Sequence, residues 1–277
     1  MHDRSVHYML IAGLLFACMN ICVKLVSHLP TMEVVFFRSV LGLILTYALL
    51  KRKQIPLFGN NKVLLSLRGV AGCLGLVGSF YTLQHIPLAS AVTINYLSPF
   101  FTAVLGIFIA RQPLRPQQYL YFIMAIAGVA LLKGFDTSIS TFDLLIGLSA
   151  ALFAGIAYNI ISKLKTSEHP LVIIFYFPMI TFPVAGIYSY FHWVNPTGLD
   201  WVILLLVGIF TQGAQYYMTR SYQQANLGRV ASLNYLGVIY AILFGYLVFG
   251  EQLGLYALLG IVLILVAVVL NLRVRAS

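Results

Sequence analysis

Three ionisable side chains stand where an apolar chain rarely holds them. Arg38 lies about five residues inside a hydrophobic run at 33–50, Glu33 opens that run, and Lys24 ends the preceding one at 8–26. A charge at membrane depth is costly, so it faces a partner or a wet cavity. Two readings of these groups are open. Arg38 either forms a structural ion pair that fixes two helices, or offers its planar donor fork to an anionic group. Lys24 and Glu33 either join such an ion pair, snorkel to the surface or serve coupling, with Glu33 as a proton carrier. Polar residues recur around them: Asn20, Asn95, Asn159 and Asn234, with Tyr81, Tyr96, Tyr176, Tyr216, Tyr235, Gln212 and Gln215. Each alone is accounted for by an interhelical hydrogen bond. As a set they predict the lining of a hydrated cavity that binds a small molecule.

Other chemistries find no residues to carry them. No HExxH or GxSxG occurs, and no Gly-rich phosphate loop with its Lys. His2, His7, His28, His85, His169 and His192 fall near the ends of apolar runs or in loops, too scattered for a metal cluster. Cys18, Cys22 and Cys73 lie inside apolar runs; two thiols at i,i+4 make a poor metal site, and all three read as packing residues. The expectation is therefore no enzyme, no metal and no cofactor.

The elements that must position these residues are set by composition. Hydrophobic residues make up 61% of the 277, charged residues 9%, and the mean hydropathy is +0.94. A soluble domain carries about 25% charged residues. A helix needs about 20 apolar residues to cross a bilayer, and ten such runs can be placed: 8–26, 33–50, 64–84, 88–110, 118–133, 143–163, 170–191, 200–220, 230–250 and 253–272. Breakers such as His28-Leu29-Pro30, Ile86-Pro87 and Asn195-Pro196-Thr197-Gly198 separate them. The first run reads as a retained helix, because no small-residue cleavage site follows it. Pro99, Pro178 and Pro183 predict bends in the fourth and seventh helices. Gly69, Gly72, Gly75 and Gly78 predict a smooth packing strip on the third.

The net charge of +10 follows topology rather than nucleic acid. Of 17 Lys and Arg residues, 14 fall on one side of this ten-crossing scheme, from Arg4 through Lys51, Arg52 and Lys53 to Arg273 and Arg275, while Lys133 alone lies in the loops of the other. Basic loops stay in the cytoplasm, so both termini are expected there, in a bacterial inner membrane.

The chain also repeats itself. Asn95-Tyr96-Leu97 returns 139 positions later as Asn234-Tyr235-Leu236, and in that register Asn20 falls on Asn159, Lys24 on Lys163, Gln84 on Gln223 and Gly106 on Gly245. Repetition at a fixed period governs the reading of the fold. Residues 1–138 and 139–277 are expected to be two five-helix units, and five crossings per unit would insert them in opposite senses. The fold class expected is thus an all-α integral membrane protein of ten transmembrane helices in two inverted repeats. Such repeats place a substrate near the midplane, where rocking of one half against the other gives alternating access.

These residues resemble a known group. Met32-Glu33-Val34-Val35-Phe36-Phe37-Arg38 is similar to the FFR-type motif of EamA-type transporters in the drug/metabolite transporter superfamily. Asn20 with Lys24 resembles that family's opening motif, and Gly250-Glu251-Gln252-Leu253 its GE-x-L before the last helix. Two departures stand out: Gln112 replaces the family's usual Glu in the first half, and Phe177 stands opposite Arg38 in the second. The resemblance implies secondary transport of a small organic metabolite. Arg38 suits a carboxylate, so an amino acid or organic anion is expected, carried by a monomer whose partners are that substrate and the lipid bilayer. A channel or scaffold without active transport is the alternative, and a membrane-embedded enzyme a third.

Overall fold

The computed structural model describes residues 2–110, 116–134, 139–164, 167–224 and 236–276. Asn234 and Tyr235 therefore lie outside the described residues, as does Gln112. Every described regular element is an α-helix, the structure that satisfies its own backbone groups where water is absent. In chain order these are α1 (His2–Leu25), α2 (Thr31–Arg52), α3 (Lys62–His85), α4 (Leu88–Asn95), α5 (Ser98–Ala110), α6 (Pro116–Gly134), α7 (Thr141–Leu164), α8 (Pro170–Phe191), α9 (Asp200–Gln224), α10 (Leu236–Phe249) and α11 (Leu255–Ala276). Seven segments are long and apolar enough to cross a membrane, from His7–Leu25 to Asp200–Met218; Pro116–Leu132, Gly237–Phe249 and Leu255–Asn271 are shorter apolar helices. The surface carries large apolar side chains such as Ile44, Leu67 and Ile123, while Glu33, Arg38 and Arg68 are inside. Together with the length of the helices, that inversion marks a multi-pass membrane protein.

Local chemistry sets the ends. Pro30 and Pro87 precede α2 and α4, and Pro170 opens α8, where a missing N–H costs nothing. The Asn61 side chain accepts from the Leu64 amide (3.1 Å) to cap α3. The bend expected at Pro99 is a break: α4 stops at Asn95 and α5 starts at Ser98. By contrast α8 runs through Pro178 and Pro183 without interruption.

The helix ranges keep the 139-residue register. α2 and α8 both have 22 residues and begin that far apart. The main packing pairs are α1 with α9, α3 with α7, α2 with α8 and α6 with α11.

Glycine lets these pairs close. A Cβ on Gly69 or Gly72 would strike Ile180 or Phe177 of α8, and one on Gly75 or Gly78 would meet the Ala150 and Ile146 carbonyls of α7. The strip on α3 thus serves two neighbours in turn. Gly128 of α6 and Gly260 of α11 face each other, a Cβ on Gly260 standing 2.7 Å from the Gly128 carbonyl oxygen. Backbone cannot yield as a side chain can, so Gly260→Val is expected to cost about 1–3 kcal/mol. Thermal unfolding in detergent should show it melting several degrees below the wild type. Gly254→Ala, with nothing within 4 Å of its Cβ, should melt close to it.

Candidate functional site

A small cavity lies between α2, α8 and α9, lined by Arg38, Gly42, Phe177, Pro178, Gln212 and Gln215 among others. Its roughly 20 Å³ takes about one water molecule and no metabolite. Arg38 reaches it from α2 with 7% of its surface exposed. Its guanidinium carbon stands 5.0 Å from the centre of the Phe177 ring and 5.6 Å from that of Phe80. Its Nε has no hydrogen-bond partner among the described residues. Guanidinium over an aromatic face is attractive, but a ring does not take up N–H donors as a carboxylate does.

The positions at the centre are related through the repeat. Arg38 and Phe177 are 139 residues apart, the spacing of the sequence repeat, and they meet here. Gln212 ties the cavity's walls by donating from Nε2 to the Gly42 carbonyl (2.9 Å) and to Thr46 Oγ1 (3.3 Å). A Cβ on Gly42 would stand 3.1 Å from that Nε2, so Gly42 leaves the amide its place.

Arg38, Gln212 and Gln215 are the anticipated site residues that the fold brings together at this cavity. The others stand elsewhere. Asn95 Oδ1 accepts from Ser79 Oγ (2.6 Å), tying α4 to α3. Asn159 Nδ2 donates to the carbonyls of Thr102 (3.0 Å) and Gly155 (3.1 Å), tying α7 to α5. Tyr81 donates to Asp143 Oδ1 (3.1 Å) and stacks on His85 at the end of α3. Tyr96 sits between α4 and α5 with its hydroxyl where a Cβ on Gly237 would be. Tyr176 is buried in a cluster with Leu50 and Leu65. Asn20 is half-buried on α1, and Tyr216 is 44% exposed on α9.

Lys24 and Glu33 do not pair with Arg38, nor with each other. Lys24 Nζ is 2.6 Å from Glu251 Oε1 and donates to the Ile86 carbonyl (2.7 Å). The Glu251 Oε2 accepts from the Leu88 amide (2.8 Å). One carboxylate thereby clamps the end of α1 and the start of α4 onto the α10–α11 connection. Gly250 aims it there: its φ of +63° is the left-handed conformation that suits glycine, and its amide caps α10 by donating to the Tyr246 carbonyl. A Cβ on Gly245 would stand 2.7 Å from the Glu251 carboxylate. Glu33 is fully buried and takes the Val194 amide (3.1 Å) on Oε2.

Two loop contacts bear the same relation across the register. His28 Nε2 is 3.0 Å from Asp200 Oδ2, and Glu168 Oε1 accepts from the Asn61 amide (2.6 Å). Asp200 and Asn61 are equivalent positions, and His28 and Glu168 come from equivalent loops.

Arg68 lies in the second turn of α3, just inside the basic loop that precedes it. The structure buries it to 8% exposure on α3, with its guanidinium carbon 4.8 Å from the Phe177 ring centre. Its Nε and Nη1 have no hydrogen-bond partner among the described residues.

The profile of the EamA-like transporter family matches residues 4–133 and again 141–273. The pseudopaline exporter of Pseudomonas aeruginosa is 32% identical over 260 residues, covering 93% of this chain and 92% of that protein. The riboflavin transporter of Brucella anthropi is 27% identical over 232 residues, covering 80% and 81%. Human solute carrier family 35 member G1 is 27% identical over 270 residues, covering 88% and 72%. A crystal structure 18% identical in sequence matches with a TM-score of 0.66 over 100% of this chain and 99% of that one, a likeness of fold alone.

Proposed function

The chain belongs to the EamA-like transporter family, a transporter of small molecules and not an enzyme, and we propose that it moves an organic anion by alternating access between two inverted repeats. The observation that carries the reading is Arg38: a buried guanidinium, without a carboxylate partner among the described residues, on the wall of the cavity between α2, α8 and α9. An amino acid or other organic acid supplies the carboxylate that the planar fork fits. Gln212 and Gln215 add polar groups beside it, and Phe177 an apolar wall.

A two-fold relation between the two units is supported by the pairing of the helices. α1 packs on α9 as its equivalent α7 packs on α3, while α2–α8 and α6–α11 join equivalent helices. Five crossings per half insert the copies in opposite senses, so exchanging their conformations turns access from one side to the other. The family profile's double match fits units on either side of residue 138. The cavity takes about one water, so a substrate enters it only when α2, α8 and α9 part. A channel would instead need a continuous wet path. Relatives named for export of pseudopaline and for transport of riboflavin support a small organic substrate. Orientation rests on the basic loops, which favour both termini in the cytoplasm, and a bacterial inner membrane is the setting of this reading.

Proteoliposomes test the transport step: influx of a labelled organic acid should saturate and should accelerate when the same acid is loaded inside. Flux that rises linearly with concentration, indifferent to the far side, would point to a channel. Cysteine labelling tests orientation. In a cysteine-free background, Lys53→Cys should react with an impermeant thiol reagent only in inverted vesicles, and Thr197→Cys only in intact cells. Reaction of position 53 in intact cells overturns the topology.

A further inference from the structure

We propose that Arg38 and Arg68 form a two-point anion site and that the substrate carries two acidic groups, an inference that rests on the transport reading above and narrows its substrate class. Both guanidinium groups approach the same ring, at 5.0 and 4.8 Å from the centre of Phe177. Their carbons are therefore no more than 9.8 Å apart, the sum of those two distances. Both side chains are more than nine-tenths buried, at 7% and 8% exposure. Arg38 Nε and Arg68 Nε and Nη1 are enclosed without an acceptor among the described residues.

The acidic residues are committed elsewhere. Among the described side chains, Glu33 holds the Val194 amide, Asp143 holds Tyr81 and Ser140, and Glu168 holds the Asn61 amide. Asp200 is with His28 and Thr197, and Glu251 with Lys24. Two buried cations thus lie close together with no counter-charge from any described carboxylate. Burial of unpaired charge is unfavourable, and like charges this near each other add to the cost. A ligand with a single carboxylate relieves one of them. A ligand with two acidic groups relieves both, with the chain between the acids lying against Phe177. Arg rather than Lys at both positions favours planar acid groups, each taken by a fork of donors.

Thermal-shift titration of the purified full-length protein tests this with succinate, glutarate and adipate, against butyrate and pentanoate, and against inorganic phosphate and chloride at matched ionic strength. In the wild type the best dicarboxylate should bind at least about tenfold more tightly than the monocarboxylates, the worth of a second charge-assisted contact. In Arg68→Gln that ratio should fall to about one, and Arg68→Lys should give an intermediate ratio. Equal binding of mono- and dicarboxylates by the wild type overturns the inference and needs no variant to show it. So does an Arg68→Gln protein that keeps the ratio. Phosphate binding as tightly as the best dicarboxylate would mean a site for inorganic anions, and overturns it too. If monocarboxylates still exchange saturably in proteoliposomes, the transport reading survives that loss; if no organic acid binds or exchanges, both fall.

Discussion

Arg38→Met is expected to raise the melting temperature of the ligand-free protein while abolishing saturable flux of organic acids. The two effects share one cause. A buried guanidinium whose Nε lacks an acceptor among the described residues destabilises the fold that holds it, and replacing buried charge by an apolar side chain of similar volume stabilises by about 1–4 kcal/mol. Binding loses what folding gains. Removing one partner of a buried charge pair costs about 2–5 kcal/mol, so affinity should fall at least about thirtyfold. Arg38→Lys keeps the charge without the fork and should lie between wild type and Arg38→Met in affinity. A competing account makes Arg38 structural through its contacts with Phe80 and Phe177. That account predicts the opposite pair of results, a lower melting temperature and unchanged affinity in the molecules that remain folded.

Glu251→Gln should open one end of the protein. Breaking a fully buried ion pair costs about 3–5 kcal/mol; the side chains of Lys24 and Glu251 keep 14% and 15% of their exposure, so about 2–3 kcal/mol is the expected loss. Gln retains an acceptor for the Leu88 amide but leaves the Lys24 ammonium without its charge partner. Part of that loss should appear as a shift toward the state in which this end is open. Ser90, fully buried on α4 two residues beyond Leu88, supplies the reporter. In a cysteine-free background, Ser90→Cys should react with an impermeant thiol reagent at least about tenfold faster when Glu251→Gln is added, since 1.4 kcal/mol shifts an equilibrium tenfold. The equivalent positions are Lys163 and Gln112, and with no carboxylate between them these two cannot form the same ion pair. Unchanged reactivity at position 90 would mean that the clamp stabilises the fold without governing the opening.

The sequence made the spans legible because a bilayer demands long apolar runs and few charges. The expected run at 170–191 is the extent of α8, and 143–163 lies within α7. It could not show which way each side chain faces. In a soluble helix an apolar stripe points to the core, but a helix apolar on every side carries no such signal. Tyr216 and Gln215 are neighbours in sequence, yet one is 44% exposed and the other lines the cavity. Arg68 was missed for a related reason. It lies just inside a basic loop, where charge reads as topology, and only the packing of α3 against α8 turns it toward Phe177. Lys24 and Glu251 lie at opposite ends of the chain, and nothing local links them. The GE-x-L motif now has a physical account: Gly250 supplies a left-handed cap that lets Glu251 turn back toward α1.

The contact between positions 38 and 177 has a consequence for how such a protein can be assembled. In the repeat arrangement proposed above, positions 38 and 177 are equivalent, and a residue beside the axis that relates two identical units meets its own copy. Were the two halves identical subunits of a homodimer, this contact would join two guanidinium groups or two phenyl rings. The first arrangement repels and the second holds no charge. One guanidinium against one ring requires the two halves to have different sequences, and joining them in a single chain guarantees that each Arg38 is always matched with a Phe177. Fusion of the halves thus removes the mispaired assemblies that separately made subunits could form.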